Sequence, residues 1–218
     1  VLFRSVLVDA GFTRISFGVQ SADSGELVTI GRPAVAHLPG KAVAAARAAG
    51  FQSINLDLMY ALPGQSIEEA RADVKEALAW QAPHLSAYHL TIEPNTYFHR
   101  FPPRLPDPDA SAQMGDEVAK ALVDAGYRHY ETSAFSRPGK QSRHNVNYWT
   151  FGDYVGIGAG AHSKVSSPDG VVRATKFKHP ERYMEAAERG SALQESHPVT
   201  AAAAGFEFMM NALRLSEG

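Results

Sequence analysis

The chain has 218 residues, 44% hydrophobic and 20% charged, with a net charge of −2. That is an ordinary globular composition, long enough for one sizeable domain, and its near-neutral balance argues against a phosphate-binding surface spread over the whole chain. The absence of cysteine excludes disulfides, thiolate-bound zinc and cysteine-ligated iron–sulfur clusters on this chain.

Taken in order, VLFRSVLVDAG reads as the end of a helix, stopped by Gly11 in the left-handed position. Arg14 to Gln20 alternates: Ile15, Phe17 and Val19 form an apolar face, and Arg14, Ser16, Gly18 and Gln20 a polar one. Ser21 to Gly31 is polar and helical in part, and Pro39 to Ala49 is a helix closed by Gly50. Ser53 to Ser66 is the stretch around which the chain is organised. Ile54, Leu56, Leu58 and Tyr60 share one strand face, and Asn55, Asp57 and Met59 share the other. Pro63-Gly64 breaks the strand, and Ser66 with Glu69 makes a capping box. A lone carboxylate near the carboxyl end of a strand, before a βα turn, is where α/β enzymes place their chemistry. A local structural pairing is the bland alternative for Asp57.

Ile67 to Gln81 has the clearest helical spacing, Leu85 to Ile92 reads as a strand, and Pro94 to Pro108 is a Pro-rich loop. Asp109 to Ala125 is helical and stopped by Gly126, and Tyr127 to Phe135 is read as one more strand. Successive strand–helix units with no hairpin signal predict an α/β fold with a parallel sheet, closed or partly closed, and polar strand faces lining one side. Beyond Phe135 the pattern changes: a loop, HNVNYW, a Gly-rich strand-like stretch from Asp153 to Val165, then helices over Pro180 to Arg189 and Thr200 to Leu213.

Few motifs carry chemistry by themselves. GIGAGAH lacks both the third-glycine spacing and the following helix of a dinucleotide loop. In HNVNYW, His144 and Tyr148 share a face on a helical turn with Trp149 beside them. An imidazole next to two large rings suits a flat conjugated ligand, although a turn followed by two core aromatics is the plainer account. His162, taken alone, reads as a hydrogen-bonded structural histidine. No glycosidase pair, nucleophile elbow or phosphate loop is present.

Several motifs in fixed order carry a family resemblance: RISFGVQS (14–21), NLDLMYALPGQ (55–65), HLSAYHLTIEPNT (84–96), HYETSAF (129–135), HNVNYW (144–149) and YVGIGAGAHS (154–163). The set resembles radical SAM proteins of the coproporphyrinogen III oxidase-like family, over nearly the whole chain. HNVNYW and the Glu-Pro-Asn-Thr stretch resemble its heme chaperone branch more than its decarboxylating branch. The resemblance implies a partial parallel (βα) barrel of radical SAM type, incomplete at its N-terminal side, that holds S-adenosylmethionine and a 4Fe–4S cluster. It implies that Gln20 and Asp57 contact the ribose of S-adenosylmethionine, with Arg32 at a further family position. His144, Asn145, Tyr148 and Trp149 are implied in heme binding, His144 as a possible heme iron ligand. The implied function is heme binding and delivery to a heme-accepting protein; the sequence shows no signal peptide, so a cytoplasmic location is expected. The alternative is oxygen-independent oxidative decarboxylation of coproporphyrinogen III. No nucleic-acid partner and no transmembrane segment are expected.

The departure from the family is the missing three-cysteine cluster motif and the missing glycine-rich second-strand motif. The expectation is a fragment cut at both ends: residues 1–190 a partial barrel with its following segment, and 191–218 the start of a truncated, helical C-terminal domain. Such a fragment does not ligate the cluster and is expected to be inactive alone. Its 14–20 strand is expected at a sheet edge, which invites self-association.

Overall fold

The structure, a computed structural model, describes residues 2–32 and 38–217. Val1 and Gly218, which belong to the two terminal stretches read above, lie outside the described residues. By compactness the chain divides into two units, over residues 1–141 and 142–218. Residues 142–190 and 191–218 fall together in the second unit.

In the first unit, helix α1 (Leu2–Asp9) stops before Gly11, whose φ of 90° is the left-handed turn the sequence predicts. Then come β1 (Arg14–Gln20), α2 (Ser24–Thr29), α3 (Leu38–Ala48), β2 (Ser53–Tyr60), α4 (Ile67–Ala79) and β3 (His84–His89). A short α5 (Tyr97–Arg100) inside the Pro-rich stretch leads to α6 (Pro108–Asp124), β4 (Arg128–Glu131) and β5 (Ala134–Ser136). The ends of α4 and α6 are encoded locally. Ser66 Oγ accepts from Glu69 N at 3.2 Å while the Glu69 carboxylate accepts from Ser66 N at 2.7 Å. Asp107 caps α6 through Ala110 N at 2.8 Å, with Pro108 in the first turn.

The sheet order is β1-β2-β3-β5-β4. The first three strands are parallel, Asp57 pairing with Gly18 on one side and Ser86 on the other. Among the described residues β1 pairs only with β2, so it stands at the sheet edge. The single strand expected over 127–135 is instead a tight hairpin: β4 and β5 are antiparallel to each other, and β5 runs antiparallel to β3. Thr132 and Ser133 make the turn without glycine or proline, so the hairpin had no turn signal to betray it.

One face of the sheet carries Ile54, Leu56, Leu58 and Leu85, all buried, packed with Val43, Val74, Ala77, Met114, Val118 and Leu122 of the helices. Full burial of each Leu, Ile or Val stabilises by about 1.5–3 kcal/mol. The other face is polar, and the candidate residues of the first unit stand on it.

The second unit opens with α7 (Arg143–Trp149), followed by β6 (His162–Ser167), β7 (Gly170–Lys176), α8 (Pro180–Glu188), β8 (Leu193–Val199) and α9 (Ala201–Ala212). The three strands form an antiparallel sheet in chain order. Only the beginning of β6 lies in the stretch expected as a strand: residues 155–161 run irregularly, and Tyr154 meets Lys164 in an isolated bridge. No helix among the described residues is long and apolar enough to cross a membrane.

Candidate functional site

The polar face of the first unit is organised around Asn55 and Asp57, two residues apart on β2 and therefore on one side of the sheet. Asn55 Nδ2 donates to Asp57 Oδ1 at 2.8 Å and to Ser16 Oγ at 2.7 Å. Ser16 Oγ in turn donates to the second carboxylate oxygen, Asp57 Oδ2, at 2.9 Å. Asn55 Oδ1 accepts from Ser86 Oγ at 3.1 Å and from His84 Nδ1 at 2.6 Å. His84 Nε2 lies 2.7 Å from the Tyr130 hydroxyl. Asn55, His84 and Tyr130 are buried, whereas Asp57 is only half-buried. Burial, with Arg14 nearby, pushes the His84 imidazole down to about 3, so it is neutral throughout the physiological range.

Each carboxylate oxygen of Asp57 has one protein donor and keeps acceptor capacity for another. That arrangement fits two neighbouring hydroxyls. The register puts Gly18 directly beside Asp57. A Cβ on Gly18 would come within 2.9 Å of Gln20 Nε2 and 3.6 Å of Arg32 Nη1. The Gln20 amide and the Arg32 guanidinium therefore lie against the gap that Gly18 leaves, and Arg32 Nη1 donates to Gly18 O at 3.3 Å. Gln20 reaches this place through a break in simple alternation. The register slips between Gly18 and Gln20, and Gln20 takes a φ of 70°, in the left-handed region. Gln20, Arg32 and Asp57 are thus gathered around one glycine. The donor and acceptor set fits a ribosyl group such as that of S-adenosylmethionine. It does not fit a 4Fe–4S cluster, because the chain has no thiolate to offer.

A buried acid pair secures the loops that follow β1 and β2. Gln65 Nε2 donates to Glu26 Oε2 at 3.0 Å and lies 3.4 Å from Asp73 Oδ2. Asp73 Oδ1 accepts from Ala22 N at 2.6 Å and Ser21 Oγ at 3.1 Å. Burial first, then the neighbouring Glu26, pushes the Asp73 carboxyl up to about 8 despite those two donors. Ser21 directly follows Gln20, so the pair anchors the strained residue from the next position.

In the second unit, HNVNYW is the helix α7, capped by Ser142 Oγ on Asn145 N at 3.4 Å. His144 and Tyr148 share one face, as their spacing predicts, with ring centroids 4.8 Å apart at 78°. Tyr148 also meets Tyr154 at 4.5 Å. His144 is exposed, and Asn145, Tyr148 and Trp149 are half-buried. Trp149 lies under the Arg214 guanidinium, 4.3 Å from its ring centroid, and Trp149 Nε1 is buried with no hydrogen-bond partner among the described residues. Beyond the helix, the buried Lys164 amine bonds Phe151 O at 2.8 Å and Asp153 Oδ1 at 2.9 Å and stands over the Phe151 ring. Hydrogen bonds from Lys164 and Ser166 hold the Asp153 carboxyl down to about 2.

The reading of the sequence assigned no part to Ser16, Asn55, His84 and Tyr130. One signal was available: Ser16, Asn55 and Ser86 all fall on polar strand positions. His84 lies one residue before the strand that the sequence predicts from Leu85, and it opens that strand in the structure. Glu26, Gln65 and Asp73 come from three separate elements, and no local pattern joins them.

No family model matches the chain. Among curated proteins it is similar to heme chaperone HemW of Escherichia coli, 49% identical over 212 residues, which is 95% of this chain and 54% of that protein. HemW of Haemophilus influenzae is 46% identical, over 96% of this chain and 54% of its own length. HemW of Bacillus subtilis is 34% identical, over 98% of this chain and 56% of its own length. The chain thus spans about half the length of the curated relatives it matches. Among solved structures, coproporphyrinogen III oxidase HemN of Escherichia coli, described as a radical SAM enzyme, superposes with a TM-score of 0.79 at 22% identity. The match covers 97% of this chain and 52% of HemN and shows a common fold.

Proposed function

We propose that this chain belongs to the radical SAM coproporphyrinogen III oxidase-like family, on its heme chaperone side, and that it is part of a protein that binds heme and delivers it to heme enzymes. The observation that carries this reading is the 49% identity, sustained over 95% of the chain, to a protein named as a heme chaperone. His144, Asn145, Tyr148 and Trp149 are assigned to heme: an exposed imidazole edge-on to Tyr148 supplies a candidate iron ligand beside flat apolar surface. Gln20 and Asp57, with Arg32 beside them, are assigned to S-adenosylmethionine. The carboxylate accepts from vicinal hydroxyls, the Gln20 amide supplies a further acceptor or donor, and the guanidinium supplies donors only. S-adenosylmethionine would bring a sulfonium centre, the chemistry this family uses with a reduced cluster. The cluster thiolates are not among the residues of this chain. The heme-accepting partner belongs to the same reading, as does the cytoplasmic location.

The alternative, decarboxylation of coproporphyrinogen III, draws on the HemN superposition, which concerns the fold. The two readings separate in the full-length protein. A heme titration followed at the Soret band should saturate near stoichiometric heme, and the His144→Ala variant should alter the band or weaken binding. Under anaerobic reducing conditions with S-adenosylmethionine, coproporphyrinogen III should be returned unchanged. Decarboxylation with no saturable heme binding would reverse the assignment.

A further inference from the structure

Asp57 does not stand alone on its strand: it is the end of a one-way chain of hydrogen bonds. Asn55 has two amide hydrogens and two acceptor sites, and all four are in use. Its orientation follows from the neighbours. Turned over, it would put its carbonyl oxygen 2.8 Å from a carboxylate oxygen of Asp57, two acceptors face to face. With Nδ2 toward Asp57, Oδ1 faces His84 Nδ1 at 2.6 Å, which requires the proton on that nitrogen. His84 Nε2 is then an acceptor, and the Tyr130 hydroxyl at 2.7 Å must donate to it. Every donor therefore points toward the carboxylate: Tyr130 to His84, His84 to Asn55, Asn55 to Asp57.

The links are shielded from competing water. His84 is 0% exposed, Asn55 3% and Tyr130 6%. The chain also crosses strands, since Asn55 is on β2, His84 on β3 and Tyr130 on β4. Three strands are enlisted to hold one amide.

We infer that Asn55 and His84, backed by Tyr130, are positioning residues for Asp57, locking its carboxylate so that both oxygens present free acceptor sites to a vicinal diol. The inference rests on the assignment of Asp57 to the ribose. Neither His84 nor Tyr130 touches the ligand in this scheme. His84 acts at second hand by fixing the Asn55 amide, and its neutrality, maintained by burial and Arg14, keeps Nε2 free to accept.

Two measurements on the chain test this. The first needs no ligand or variant beyond an assignment control. Long-range nitrogen–proton correlation spectra, with the His84 resonances identified by their loss in His84→Gln, should show His84 as the neutral Nδ1–H tautomer from pH 5 to pH 8. The Nε2–H tautomer, or an imidazolium titrating within that range, would overturn the inference.

The second is a double-mutant cycle read as the dissociation constant of S-adenosylhomocysteine by calorimetry. One hydrogen bond to a charged group corresponds to roughly tenfold in affinity, so Asp57→Asn should weaken binding about tenfold. His84→Leu should weaken it several-fold. The double variant should be no weaker than Asp57→Asn alone within about twofold, because His84 acts only through Asp57. Losses that simply multiply, or a His84→Leu chain that binds like the parent while Asp57→Asn does not, would overturn the positioning role alone. If Asp57→Asn binds like the parent, the ribose assignment of Asp57 falls, and the inference with it.

Discussion

His84 and His144 belong to the two candidate sites, and their surroundings differ in kind. His84 is fully buried, with both ring nitrogens engaged by side chains of neighbouring strands. His144 is exposed on a seven-residue helix, edge-on to Tyr148. The first arrangement is finished before any ligand arrives. The second leaves an imidazole and ring surface open for one. A site that must aim a carboxylate at two hydroxyls gains from rigid hydrogen-bonded support, whereas one that accepts a large flat ligand and later releases it needs an open face.

The largest break in this contrast is His84→Leu as a stability test. It removes a donor from Asn55 and an acceptor from the Tyr130 hydroxyl inside the sheet. Each buried hydrogen bond lost costs about 0.5–1.5 kcal/mol, so the first unit should lose roughly 1–3 kcal/mol, seen as a lower Tm. A melt unchanged within a degree would mean that the sheet face relaxes or admits water, and the claimed rigidity would be gone.

The next test uses the opposite pH responses of the two units. In the first, burial and Glu26 raise Asp73 from about 4 when unfolded to about 8 when folded. The folded state therefore prefers the proton, and this stabilising contribution is full below pH 4 and is lost as pH rises through 8. The parent Tm should fall from pH 6 to pH 9. Asp73→Asn, which cannot ionise, should flatten that slope and melt higher than the parent at pH 9. A parent slope equal to that of Asp73→Asn would remove the acid pair as its cause.

Asp153 in the second unit runs the other way and with a smaller effect. The Lys164 and Ser166 hydrogen bonds depress it to about 2, so its contribution is present above pH 4 and is lost as pH falls through 2. The chain has two tryptophans, Trp80 in the first unit and Trp149 in the second. In a Trp80→Phe background, Trp149 fluorescence should report unfolding of the second unit below pH 4, and Asp153→Asn should make that transition less pH-dependent. A transition insensitive to Asp153→Asn would place the acid sensitivity elsewhere.

These contrasts also show what the sequence makes legible. Period-two alternation located β1 and β2 and put Asp57 on a polar face, because a strand that buries one side writes its pattern locally. The Ser66–Glu69 capping box and the helical pairing of His144 with Tyr148 are equally local, and both are present. What could not be read was non-local or unsignalled. The β4–β5 hairpin turns at Thr132-Ser133, residues without strong turn preference. The meander of β6, β7 and β8 was missed beyond its first strand because β8, LQESHPV, is mostly exposed and contains Pro198, which disguises it as a loop. The network that holds Asp57 joins residues up to 46 positions apart, so no window of sequence contains it. Gln20 was placed on the polar face by parity, yet it is there through a register slip and a left-handed backbone, which parity does not foresee.

The smallest expected effect on stability is that of His144→Ala, and its smallness is the point. The side chain is exposed and its ring neighbour Tyr148 also rests on Tyr154. An aromatic pair at such a position is worth about 0.5–1.5 kcal/mol at most beyond area burial, and alanine is a better helix former than histidine by several tenths of a kcal/mol. These terms offset, so Tm should move by no more than one or two degrees. Under the heme assignment the same variant should nevertheless change the Soret band or weaken heme binding in the full-length protein, because a nitrogen ligand to the iron would be lost. Function would then respond where stability does not, the reverse of a residue that serves packing. If His144→Ala instead lowers Tm by five degrees or more and leaves heme spectra and affinity as they were, His144 is a structural partner of Tyr148. The contrast between a closed and an open histidine would then collapse into two structural ones.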